Sequence, residues 1–274
     1  MQLLLARHLW GLMEPWEQVF PRILAAGYGA IEAPLPAPQE QARFRALLDQ
    51  YGLAYIAMIF TSGATVSDHV TSFRAQVVES RSLKPILINS HSGQDAWNEG
   101  QSRDFFTQAL AMETTLGVSV AHETHRGRIL FNPWITRRMI QHFEQLHLCC
   151  DLSHWVCVCE RLLDTELEII KQCAQRCAHL HTRVGYEQGP QVPDPRAPEY
   201  QRHLEAHERW WQIIWDAQAA RGQKISTLTP EYGPPDYLHT LPYSNVPVAN
   251  LWDICNWQAQ RQATSFANKY GQRS

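Results

Sequence analysis

The chain has 274 residues, 45% of them hydrophobic and 19% charged, with 24 basic against 27 acidic side chains. Apolar residues and aromatics recur throughout, which excludes a disordered chain, and a net charge of −3 gives no field to recruit nucleic acid or anionic lipid. No apolar run approaches the ~20 residues that span a bilayer, so neither a membrane nor a nucleic acid is expected as partner. In chain order, a short apolar run followed by a segment of helical periodicity repeats eight times. The pairs are 3–6 with 15–26, 30–33 with 39–50, 54–60 with 68–82, 85–89 with 101–116, 118–123 with 133–146, 146–152 with 164–175, 177–182 with 199–221, and 225–229 with 248–268. Asp68, and Asn132 followed by Pro133, read as helix starts. Strands without polar alternation are buried on both faces, which argues a parallel sheet with crossover helices.

Eight units averaging about 34 residues suit a closed barrel better than an open doubly wound sheet. Neither G-x-G-x-x-G nor G-x-x-x-x-G-K-[ST] occurs, and Gly27 and Gly29 precede a strand, so they read as a turn. The expectation is an α/β protein, a single (β/α)8 TIM barrel spanning 1–274. The Pro-rich stretch 189–198 reads as an ordered active-site loop or lid. The opening MQLLLARHLWG lacks a basic start and meets Arg7 and His8 too soon for a signal peptide. Seven cysteines, an odd number, then read as reduced thiols in a cytoplasmic protein. Four of them, Cys149, Cys150, Cys157 and Cys159, are spaced wrongly for a thiolate zinc site.

In a barrel, chemistry gathers where strands end. The strand ends here carry His8 and Trp10, Glu32, Asn89 and His91, Glu123 with His125, Asp151 with His154, His179 with His181 and Arg183, and Glu231. From Glu123 to Asp151 is 28 residues, from there to His181 is 30, and on to Glu231 is 50, which is one unit, one unit, and one unit plus the Pro-rich insertion. These four residues can therefore stand at equal height on four successive strands. Three carboxylates at one mouth repel unless a cation neutralises them, and oxygen-rich ligation with one imidazole suits Mn²⁺, Mg²⁺ or Co²⁺. His8, Trp10, Glu32 and His91 are candidates for substrate contact. Trp10 could stack on something flat or simply pack. Trp211 and Trp215 read as packing or subunit contact, and the Trp-rich last helices suit a homo-oligomer face.

The pattern Glu123, Asp151-Leu152-Ser153-His154, His179-Leu180-His181 and Glu231 resembles the xylose isomerase-like TIM-barrel superfamily. That group includes the tagatose/psicose 3-epimerases, hydroxypyruvate isomerase, inosose dehydratase and, more distantly, endonuclease IV. The resemblance implies one divalent metal ion (Mn²⁺, Mg²⁺, Co²⁺ or Zn²⁺) on Glu123, Asp151, His181 and Glu231, with His154 and Arg183 touching substrate. Asp194-Pro195-Arg196 stands where endonuclease IV has a D-x-H, which speaks against a three-zinc cluster. The TRVGYEQGPQVPDP stretch after His181 also departs from the epimerases' Ser/Gly-Glu-Asn pattern. The implied activity is isomerisation or epimerisation of a small sugar or sugar derivative through a metal-stabilised enediolate, with Glu123 and Glu231 as the acid/base pair. Two alternatives stand beside it: a dehydratase of inosose or dehydroshikimate type, and a carbohydrate-binding barrel without turnover.

Overall fold

Eight parallel strands hydrogen-bond in sequence order and close on themselves: β1 (Gln2–His8), β2 (Ala30–Pro34), β3 (Ala54–Phe60), β4 (Leu87–His91), β5 (Val120–Glu123), β6 (Leu148–Cys150), β7 (Cys177–His181) and β8 (Ile225–Thr229). The barrel shuts where Gln2 of β1 lies opposite Ile225 of β8. The computed structural model describes residues 1–271; the last three residues of the expected 1–274 domain lie outside the described ones. Around the barrel run α1 (Trp16–Ala25), α2 (Gln41–Tyr51), α3 (Val66–Ser80), α4 (Glu99–Leu116), α5 (Pro133–His142), α6 (Leu152–Cys159), α7 (Leu167–Ala174), α8 (Gln201–Ala220) and α9 (Leu251–Tyr270). The fold is the expected (β/α)8 TIM barrel. No described helix is long and apolar enough to cross a membrane.

Most elements follow the hydrophobic pattern, and the departures have local causes. β4 starts at Leu87 rather than 85, since Pro85 has no amide for the ladder, and it runs on to pair His91 with Phe60. Thr65, not Asp68, caps α3: its hydroxyl accepts from the Asp68 amide while the Asp68 carboxylate accepts from the Thr65 amide, a reciprocal box. Asn132 caps α5 with Pro133 in its first turn, as the sequence predicts. α6 is the element the pattern missed. The expected strand 146–152 ends at Cys150, and the apolar LSHWVCVC that follows is helical because the Asp151 carboxylate accepts the Ser153 amide at its start.

Strand register sets which side chains face inward. Ala6, Ala30, Ile56, Leu87, Ala121 and Cys149 form an apolar plug inside the barrel, and most of the next inward positions toward the strand ends (His8, Glu32, Asn89, Glu123) are polar. The main core lies outside, between strands and helices. Trp211 and Trp215 of α8 are fully covered there, so they are packing residues and cannot carry a subunit face. The Pro-rich stretch is tied to the loop after β8: its Gln191 side chain both donates to the Gly233 carbonyl (3.1 Å) and accepts from the Gly233 amide (2.7 Å).

Candidate active site

Register brings the four spaced strand-end residues together. Glu123 ends β5, Asp151 follows β6, His181 ends β7 and Glu231 lies two residues beyond β8. Each offers one ligand atom, and these atoms all lie within 4.8 Å of one another, in residues that are all buried. His181 Nδ1 faces the three carboxylates, at 3.1 Å from Glu231 Oε2, 3.8 Å from Asp151 Oδ2 and 3.9 Å from Glu123 Oε2, and makes no hydrogen bond. Glu123 Oε1 is likewise buried without a partner.

A shell of protein groups holds these four in place. Glu32, fully covered, accepts from His181 Nε2 (3.0 and 3.2 Å), His179 Nε2 (3.1 Å), Asn89 Nδ2 (3.1 Å) and the Thr229 hydroxyl. Both Glu32 oxygens are thus engaged by protein, two of the contacts reaching His181 Nε2. Asn89 also donates to Glu123 Oε2 at 2.7 Å. Arg183, too, is committed inward. It donates to Asp151 Oδ2 (2.6 Å), the Glu231 carbonyl (3.0 Å), the Ser153 hydroxyl (3.2 Å) and His154 Nε2 (2.7 Å).

Charge follows from this packing. Burial alone would raise the Glu123 carboxyl, but His91 and His181 beside it hold it well below the ordinary range. Burial likewise opposes ionisation of Glu32 and Asp151. His181 and His179 outweigh it for Glu32, and Arg183 and His181 for Asp151. Burial works against an imidazolium at His181, yet Cys149 and the Glu32, Glu231 and Glu123 carboxylates push its titration well above the ordinary imidazole value. This pocket favours positive charge at Nδ1.

Above the cluster opens a cavity of about 560 Å³. Glu32, His91, Arg183 and Glu231 form its floor, and Trp10, Met58, Phe60 and Tyr237 give it apolar walls. Trp10 stands edge-on to Tyr237 at 4.9 Å and lies against Gly233, where a Cβ would come within 2.3 Å of the indole. The cavity therefore includes the expected Trp10, His91, Arg183, Glu32 and Glu231. It does not include His8 or His154. His8 is covered, 3.8 Å from Cys255 Sγ, and His154 is fully buried beside Arg183, its ring tilted against that of His125 with centroids 3.9 Å apart.

Sequence reasoning passed over Tyr237 and Arg128 and noted His125 only as a strand-end residue, although all three line the cavity. Arg128 donates to the Thr61 and Gly93 carbonyls (2.9 and 3.2 Å) and makes no ion pair among the described residues. Its signal was present in the HETHRGR stretch; that of Tyr237 was not, since it sits six residues beyond Glu231 in a loop. All seven cysteines are free, as expected.

No protein-family model and no curated protein matches the chain. Solved structures do. The 3-keto-D-glucoside 4-epimerase YcjR from E. coli, apo form, superposes with a TM-score of 0.64 at 10% identity over 96% of this chain and all (100%) of that one. The probable 3-DHS dehydratase AsbF from Bacillus anthracis, involved in petrobactin synthesis, gives 0.63 at 11% identity over 96% and 98%. An AP endonuclease of family 2 from Brucella melitensis gives 0.59 at 14% over 83% and 91%. At these identities the likeness is one of fold, a (β/α)8 barrel.

Proposed function

We propose that the protein is a divalent-metal-dependent isomerase or epimerase of a small sugar or sugar derivative. The observation that carries the reading is the buried set Glu123, Asp151, His181 and Glu231, with ligand atoms within 4.8 Å and with His181 Nδ1 and Glu123 Oε1 unpartnered. Among the described residues, four buried carboxylates including Glu32 find only one guanidinium in ion pairs, that of Arg183, an imbalance that a divalent ion corrects. Three carboxylates and one imidazole form a donor set that suits Mn²⁺, Mg²⁺ or Co²⁺, with Zn²⁺ as the softer choice. When bound, such an ion supplies Lewis-acid stabilisation of negative charge on carbonyl and hydroxyl oxygens.

The remaining chemistry belongs to the chain. Glu32 holds the proton of His181 on Nε2, which leaves Nδ1 as the ligand nitrogen. Arg183 keeps Asp151 ionised and braces the Glu231 main chain. Glu123 and Glu231 act as the catalytic pair: one removes a proton beside a carbonyl and the other returns one, groups of a kind that contribute ~10²–10⁴ each in rate. Trp10, Phe60 and Tyr237 take the apolar face of the sugar and exclude water from it, while Arg128 meets its oxygens. The epimerase among the similar structures agrees with this reading. The likeness to the dehydratase favours a second reading, in which the same proton abstraction is followed by loss of a β-hydroxyl.

The test combines metal counting with solvent exchange. Purified protein should hold a near-stoichiometric divalent ion that Asp151→Ala and Glu231→Ala lose, and ketoses or inososes should take up solvent deuterium at one carbon without losing water. Water loss with appearance of a conjugated carbonyl would favour the dehydratase. Sugar binding without any exchange would leave a binding barrel, and a wild type that takes up no divalent ion sinks the reading altogether. The free cysteines agree with a cytoplasmic location. A homo-oligomer is proposed on the apolar tip of the β8–α9 loop, where Leu241, Tyr243, Val246 and Val248 are exposed. Light scattering should show Tyr243→Ser at a lower mass than wild type; a monomeric wild type overturns it.

A further inference from the structure

We propose that Arg128 binds a carboxylate carried by the substrate, so that the sugar derivative taken by the cavity is a sugar acid. The inference rests on the reading of this cavity as a sugar site and adds the class of substituent that the sugar carries. Among the described residues, two guanidinium groups line the cavity, those of Arg128 and Arg183. Arg183 is neutralised where it stands, 2.6 Å from Asp151 Oδ2 and 3.3 Å from Glu231 Oε2. Arg128 lines the same space with no carboxylate of the described residues in ion-pair reach.

The loop after β5 holds Arg128 still. Gly127, at φ 76°, turns the chain, and the Arg128 amide donates to the His125 carbonyl at 3.2 Å. The next amide, of Ile129, donates to the Ser92 carbonyl at 3.0 Å. At the far end of the side chain, Nη1 donates to the Thr61 and Gly93 carbonyls, in the loops after β3 and β4. Both acceptors are neutral, so they aim the fork without cancelling its charge. Nε and Nη2 donate to nothing among the described residues, and that edge of the fork is the one a carboxylate engages with two parallel bonds. A guanidinium anchored beforehand gives up little freedom when a ligand arrives.

Charge and placement fit an acid group on a sugar. Burial lowers the Arg128 pKa, and the Glu123 and Asp95 carboxylates that oppose it stand too far off to pair with it. A half-buried cation in this state gains from an anion that the ligand brings, and the apolar walls at Met58 and Phe60 strengthen that attraction by excluding water. Thr61 and Gly93 follow β3 and β4, whereas Glu231 follows β8 on the opposite side of the ring. A ligand that presents its reacting carbon near Glu231 can therefore span the mouth and place its far end at Arg128. Arg126 adds an exposed cation at the rim, its guanidinium 5.1 Å from the Tyr237 ring centroid. One free fork edge suits a planar carboxylate; a phosphate, with three acceptor oxygens and more charge, asks for more donors than Arg128 offers.

The experiment measures binding of matched sugars to the full chain by calorimetry, with and without Mn²⁺. Each set holds a neutral sugar, its uronate and its phosphate ester at the same terminal carbon, for glucose, galactose and fructose. In at least one set the uronate should bind roughly tenfold or more tightly than both other forms. Arg128→Gln should bring that ratio close to one and Arg128→Lys should keep part of it. Arg138→Gln, which removes a surface guanidinium paired with Glu99, should leave the ratio as in wild type. Circular dichroism checks that each variant folds. No set with the acid preferred, whether the three forms bind alike or none binds, overturns the proposal, and so does a preference that Arg128→Gln leaves untouched. Preference for the phosphate ester overturns the carboxylate assignment. A wild type that takes up no divalent ion yet prefers the uronate through Arg128 overturns the metal-dependent reading alone. Deuterium exchange into neutral sugars with metal bound, and no preference for acids, overturns this proposal alone.

Discussion

Glu32 is covered completely, yet its two oxygens meet donors from β4, β7 and β8. A carboxamide in its place keeps the size but turns half of the acceptor set into a donor aimed at imidazole nitrogens. Glu32→Gln should weaken divalent-metal binding by roughly 10–100-fold, the usual effect of losing an outer-shell partner, while the far-ultraviolet spectrum stays as in wild type. Metal affinity unchanged by this substitution would show that His181 is oriented by something else. The four ligand candidates were legible in the sequence because one βα unit separates each from the next, or one unit plus a visible insertion. The orienting role of Glu32 was not. Its partners His179 and His181 lie 147 and 149 positions away, and only closure of the barrel makes them neighbours. Arg183 and His154 were found as site residues, but the sequence could not show that they would engage each other rather than the cavity.

Among the elements, α8 shows what a buried helix asks of a titratable group. His207 is fully covered in it; Nδ1 donates to the His203 carbonyl (2.8 Å) and Nε2 accepts from the Gly185 amide (3.2 Å), so the ring is neutral and both nitrogens are used. Burial lowers its pKa to about 4, against the opposing pull of the His203 carbonyl. The unfolded chain, with an ordinary value near 6.5, binds a proton between those two pH values that the folded chain does not. Stability from this group is therefore complete above about pH 6.5 and falls as pH drops toward 4, by about 3 kcal/mol in total. Denaturant unfolding of His207→Gln across that window should show a shallower pH slope than wild type; parallel slopes would refute it. α6 carries the contrasting lesson. Its β-branched and cysteine-rich sequence favours a strand, and it is helical because Asp151 caps it and every residue from Leu152 to Val156 finds burial. A three-residue β6 and an eight-residue helix were beyond periodicity, which needs longer segments to tell 2.0 from 3.6.

At the scale of the molecule, the barrel gathers acidic strand ends at one mouth and covers them with an aromatic cavity, so the folded state carries repulsion that the proposed metal would relieve. At a free ion concentration 100 times the dissociation constant, binding to the folded chain alone adds about 2.7 kcal/mol, roughly 5 °C or more in Tm. Chelation should lower Tm by that much in wild type and hardly at all in Asp151→Ala; equal shifts in both would place the bound ions elsewhere. The sequence by itself determined the architecture, because eight apolar runs at regular spacing leave a closed parallel barrel as the economical way to bury them, and it pointed to the four candidate ligands, because gaps of one βα unit, or one unit plus an insertion, put residues at corresponding strand ends. The tertiary structure alone decided which polar residues face the cavity and which lie behind it. That choice turns on pairings between β2 and β7, and between the β5, β6 and β7 loops, whose partners meet only when the barrel closes.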